Sequence, residues 1–195
     1  MYKLIYVPGI GDDIGFVQST LVRLWRLRGV VGITHVMPWD GPSEYDVRAK
    51  RLLKLISAEN RSGKQVVLVG ASAGASAVIN AYLAERPSVA AVVLICPKIN
   101  DSTNIGAKIL KKNPTFLTSM QQTGNILNNL TAADKARIAI FLSPRDGLVA
   151  RRDGVIPGVK TYQLAPLRHN AAILYALTFG FGQLKSELQK ITDRA

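Results

Sequence analysis

The chain has 195 residues, 48% of them hydrophobic and 19% charged, a balance that excludes disorder and suits one domain, residues 1–195, with a real core. Lysine and arginine number 25 against 13 acidic residues, a formal net charge of +12. The basic residues are scattered over several segments and no nucleic-acid signature accompanies them, so the expectation is a solvated basic surface with no nucleic-acid partner. Apolar, β-branched stretches then alternate with helical patterns along the chain. Strands are expected at Lys3–Val7, Gly32–Met37, Gln65–Val69, Ala90–Ile95, Arg137–Leu142 and Val159–Leu164. Helices are expected at about Asp13–Leu27, Ser43–Asn60, Ala73–Glu85 and Asn170–Ile191. Alternation of this kind predicts βα units and a mostly parallel sheet, and strands that are apolar nearly throughout predict helices on both faces.

No apolar run reaches the roughly 18 residues of a membrane-spanning helix, so no membrane span is expected. The short apolar start runs into Pro8-Gly9 without a cleavage site and reads as a strand, not a signal peptide. A single cysteine, Cys96, cannot pair within the chain and points to a reducing, cytoplasmic setting. It reads as an inert core thiol. With two separated histidines, the chain has no metal-ligand spacing, and neither a metal nor another cofactor is expected.

Residues 97–135 are too long for a plain strand–helix connection, and polar residues interrupt their apolar pattern. They read either as a short cap over a site or as a covering helix with a long approach. Phe116, Leu117, Met120 and Leu127 are candidates to line a pocket there, or to form the underside of a packed helix, with Phe116 and Met120 the preferred substrate-binding pair.

The strongest signal is Val66-Val67-Leu68-Val69-Gly70-Ala71-Ser72-Ala73-Gly74-Ala75. A buried strand ends and a helix begins within a few residues, which puts Ser72 on an abrupt turn. Such a turn projects a serine Oγ out of the sheet, and its crowding demands small neighbours, supplied by Gly70, Gly74 and the alanines. A phosphate-binding turn would need a lysine or a different glycine spacing.

On these residues the chain resembles the α/β-hydrolase superfamily over nearly its whole length. The resemblance implies an α/β fold: a minimal six-stranded, mostly parallel sheet of order 2-1-3-4-5-6, without the superfamily's first antiparallel strands. It further implies a nucleophile, an acid and a histidine in that chain order. Ser72 is the nucleophile on this reading. Asp146, in Leu142-Ser143-Pro144-Arg145-Asp146-Gly147, matches the acid loop, with Asp101 and Asp153 as alternatives. His169, between the last strand and the last helix, matches the base, while His35 lies within a strand and reads as structural. The backbone N–H groups of Ala73 and of Ile10, in Pro8-Gly9-Ile10-Gly11, match the oxyanion hole. Asp12 or Asp13 in the same loop would cap the following helix.

The activity implied is that of a serine hydrolase on a small-molecule acyl substrate, a carboxylic ester or thioester. An acyltransferase on the same site, or a ligand- or protein-binding member of the fold without turnover, are the alternatives. Oligomeric state is not legible.

Overall fold

The computed structural model describes residues 2–40, 44–100 and 103–193, with the side chains of residues 12–15 outside that description. Six strands form one sheet: β1 (Tyr2–Val7), β2 (Val31–Thr34), β3 (Gln65–Ala71), β4 (Val89–Ile95), β5 (Ile138–Leu142) and β6 (Lys160–Gln163). Their order is β2-β1-β3-β4-β5-β6 and every neighbouring pair is parallel, as the alternating pattern predicts. The helices are α1 (Asp12–Leu24), α2 (Tyr45–Arg61), α3 (Gly74–Ala84), α4 (Ala107–Lys112), α5 (Pro114–Leu127), α6 (Ala132–Ala136), α7 (Arg151–Gly154), α8 (His169–Leu177) and α9 (Phe181–Thr192). No helix among the described residues is long and apolar enough to cross a membrane.

The two-residue period of the strands divides the core into two layers. Ile5, Val7, Leu68, Val92, Leu94 and Ile140 face α2, α3 and α5. Leu4, Tyr6, Val67, Val69, Val93 and Phe141 face α1, α8 and α9, where Trp25 stacks on Phe181 with ring centroids 4.4 Å apart. Because both faces are covered, β3 and β4 are apolar along nearly their whole length.

The differences from expectation lie at edges and ends. The edge strand β2 stops at Thr34, not Met37; His35 N–H still donates to Tyr6 O at 2.8 Å before the chain leaves the sheet at Pro38. The single terminal helix is two, α8 and α9, broken at Thr178–Gly180, where the Thr178 hydroxyl takes the Leu174 carbonyl and Gly180 N–H turns back to Tyr175 O. Gly11, not an aspartate, occupies the N-cap of α1. Ser43 and Asp101 lie outside the described residues.

The strand order reverses between β1 and β3: β1 leads outward to β2 on one side, and β3 starts the run to β6 on the other. Open parallel sheets form a crevice at the carboxyl ends of the strands at such a point. Val7 pairs with Gly70, and Ala71 with Ile95, which aligns the ends of β1, β3 and β4 beneath that crevice.

Candidate active site

Ser72 follows β3 directly and has a φ of 50°, a left-handed conformation that a residue with a Cβ adopts only under constraint. The constraint is visible. Ser72 N–H donates to Ile95 O at 3.0 Å, and its carbonyl accepts the N–H groups of Ala75 and Lys98, each at 3.2 Å. Small residues make the corner possible. A Cβ on residue 74 would lie 2.2 Å from Val7 O, and one on residue 9 would lie 2.8 Å from Ser72 Cβ. The first loop is thereby drawn against the serine, so Gly9, Ile10, Ser72 and Ala73 line one cavity. Among the described residues, no backbone acceptor meets the N–H of Ile10 or of Ala73.

His169 is the first residue of α8 and is buried. Its Nε2 lies 2.9 Å from Ser72 Oγ, and its Nδ1 lies 2.7 Å from Asp146 Oδ2. A carboxylate on Nδ1 selects the tautomer with hydrogen there, leaving Nε2 to accept the Ser72 hydroxyl. Asp146 sits in the turn after β5. Its Oδ1 accepts Leu148 N–H at 3.0 Å and Val149 N–H at 2.7 Å, while His169 N–H donates to its carbonyl at 2.9 Å. Burial raises the Asp146 carboxyl. The His169 hydrogen bond, the backbone donors and the charge of the imidazole outweigh it and hold the group below its ordinary value. The structure thus brings Ser72, His169 and Asp146 into one hydrogen-bonded chain at the carboxyl edge of the sheet. Asp153 is elsewhere, 2.8 Å from the buried Lys98 Nζ. His35 is also remote from the chain; burial, helped by the Arg51 charge, lowers its pKa.

Sequence reasoning did not anticipate Ser143. Its hydroxyl bonds to Ala165 O and Leu167 O and accepts Leu167 N–H at 3.1 Å, tying the acid loop to the loop that carries His169. Nothing in the local sequence distinguishes it, because its partners on the His169 loop lie more than twenty residues away. Cys96, Asp146 and His169 place potential ligand atoms within 4.8 Å of one another. They do not fit a metal. Nδ1 is committed to the carboxylate, and burial together with the Asp146 charge pushes the thiol up to about 12, far from the thiolate a metal takes.

The cavity beside Ser72 measures about 470 Å³, the size of a small-ligand site. Its walls include Ile105, Ile109, Phe116, Leu148 and Val149. Phe116 is among the residues that line it. Met120 does not line this cavity: it lies on the core stripe of α5, one turn after Phe116, and borders a separate depression with Gln121 and Gly124. Leu117 and Leu127 also lie outside its walls. Residues 97–135 thus combine a packed covering helix, α5, with an approach through α4 that forms one side of the cavity.

No family model matches the chain, and no curated protein matches it. Solved structures do. A metagenomic α/β hydrolase enzyme from sediments of the Mar Chica lagoon, Morocco, superposes with a TM-score of 0.69 at 16% identity, over 99% of this chain and 93% of that one. A carboxylesterase of the ammonia-oxidizing thaumarchaeon Nitrososphaera gargenis gives 0.68 at 13% identity, over 100% and 92%. A monoacylglycerol lipase of Paleococcus ferrophilus gives 0.64 at 12%, over 98% and 94%. The chain has the α/β-hydrolase fold.

Proposed function

We propose that the protein is a serine hydrolase acting on carboxylic esters or thioesters through an acyl-enzyme. The observation that carries the reading is the continuous hydrogen-bonded chain from Ser72 Oγ through both nitrogens of His169 to Asp146, facing a cavity with two free backbone donors among the described residues. Relatives in fold that are named as esterase and lipase support the substrate class.

Each step has a residue to perform it. His169 Nε2 takes the Ser72 proton as Oγ bonds to the acyl carbon, and the N–H groups of Ile10 and Ala73 hold the oxyanion. Asp146 keeps the imidazole in place and stabilises its charged form. The carbon–oxygen or carbon–sulfur bond then breaks, and the leaving group collects the proton from His169. Water repeats the sequence on the acyl-enzyme, giving one proton to His169, which returns it to Ser72 as the acid departs.

The test is hydrolysis of p-nitrophenyl esters from acetate to octanoate by wild type and Ser72→Ala, with a fluorophosphonate probe on both. Turnover and labelling that vanish together in the variant are expected. An unlabelled wild type would overturn the reading.

A further inference from the structure

The cavity beside Ser72 has both apolar and cationic walls. Lys98, Lys108 and Lys112 line it, and among the described residues no aspartate or glutamate does. Lys98 is neutralised: it is buried, bonded to Asp153 and close to Asn104. Lys108 and Lys112 differ, since among the described residues neither has an ion-pair partner.

Local physics disfavours this arrangement. The two lysines are four residues apart on α4, so like charges share one face. No acid of α4's first turn offsets the pair, and a negative charge within the cavity would do so.

We propose that the site takes esters or thioesters bearing a second, anionic group, a carboxylate set apart from the scissile carbonyl by an apolar spacer. Ile105, Ile109 and Phe116 pack against the spacer, and Lys108 and Lys112 hold the carboxylate. The net charge of +12 adds steering of such a substrate towards the protein. This rests on the ester-hydrolase reading and narrows its substrate.

Binding separates the two claims. Ser72→Ala protein is titrated calorimetrically with two matched pairs: monophenyl glutarate against phenyl pentanoate, and p-acetoxybenzoate against p-tolyl acetate. The first pair puts the carboxylate on the acyl side and the second on the leaving group. In at least one pair, the anionic ester binds about 10-fold tighter at about 50 mM NaCl, and the preference shrinks to within about 3-fold at about 500 mM. It shrinks equally in the protein that also carries Lys108→Gln and Lys112→Gln, whose thermal midpoint is not lowered because a repelling pair has gone. Equal binding in both pairs, or a preference that survives the glutamines, overturns the proposal. Fluorophosphonate labelling of wild-type Ser72 reports on the hydrolase reading independently: anion preference without labelling leaves an anion-binding pocket, and labelling without preference leaves a hydrolase of neutral esters.

Discussion

The corner between β3 and α3 and the wall formed by α4 line one cavity and are built by opposite rules. At the corner, backbone meets backbone through glycines and alanines, Ala71, Ala73 and Ala75 are at most 2% exposed, and the strained Ser72 is held by three backbone hydrogen bonds. In α4 no residue is buried, and half of its six residues are lysine. Groups that must be placed to within a fraction of an ångström sit on tightly packed elements, whereas groups that select a substrate can sit where little packing is at stake. Substitutions on the corner side should therefore cost chemistry or fold, and substitutions on the wall should alter preference alone.

The largest effect is expected at the acid. Asp146→Asn keeps the size of the side chain but offers an amide that no longer selects hydrogen on Nδ1, so kcat for a p-nitrophenyl ester should fall by about 10³–10⁴ with little change in KM. A loss below tenfold would mean that Asp146 does not orient His169. Next comes the corner itself. Gly74→Ala drives a methyl to 2.2 Å from Val7 O, a backbone atom that cannot swing aside. The expected loss is more than about 3 kcal/mol in urea denaturation, or failure to fold. A well-folded variant of near-native midpoint would show that the two strands are less tightly locked than the corner requires.

The corner was also the most legible part of the sequence, because its signal is local: an apolar run, a serine and glycines on either side within a few residues. The parallel sheet was legible in the alternation of strands and helices, whereas its order came with the resemblance to the α/β hydrolases and not from the pattern itself. Ends were less legible, since β2 stops where its pairing with Tyr6 of β1 ends and the break at Thr178–Gly180 depends on a hydroxyl that bonds the backbone one turn earlier. The sequence left Asp146, Asp101 and Asp153 open as the acid; Asp101 lies outside the described residues, and the other two differ only in long-range contacts, Asp146 meeting His169 and Asp153 meeting Lys98, 55 residues away along the chain. Phe116 and Met120 share one helical stripe, so their spacing could not reveal that only the first reaches the cavity.

A smaller effect is expected where the far end of the wall segment is fastened to the elbow helix. Thr131 and Asp134 form a capping box on α6, and Asp134 also accepts Tyr82 Oη from α3 at 2.8 Å and pairs with Arg86. Thr131→Ala should cost about 1 kcal/mol. Burial raises the Asp134 carboxyl, but the Thr131 donors, Tyr82 and Arg86 outweigh it and depress it from an ordinary value of 3.8. A carboxylate depressed on folding contributes stability above its unfolded value and loses it as pH falls through the folded one. The stability gap between wild type and Asp134→Asn should therefore be full above about pH 5 and shrink steadily as pH falls below the ordinary value of 3.8. A gap that widens in acid would reverse the sign and remove the anchor from the account.

The smallest effect on stability is the sharpest test of the wall. Ile109 is 44% exposed and lines the cavity. Ile109→Ala removes apolar contact that was only partly withdrawn from water, and alanine's better helix propensity offsets part of that loss. The Asn113 N–H bond to Ile109 O, 2.9 Å, belongs to the backbone and remains. Stability should change by less than about 0.5 kcal/mol. The same side chain faces substrate, where lost contact falls most heavily on longer acyl chains, so kcat/KM for an octanoate ester should drop about 5-fold relative to acetate. If the two esters fell together, Ile109 would be supporting the site and not contacting the chain. If the midpoint of unfolding fell by several degrees, α4 would be a packed element like the corner, and the division between placing and selecting would fail at its weakest helix.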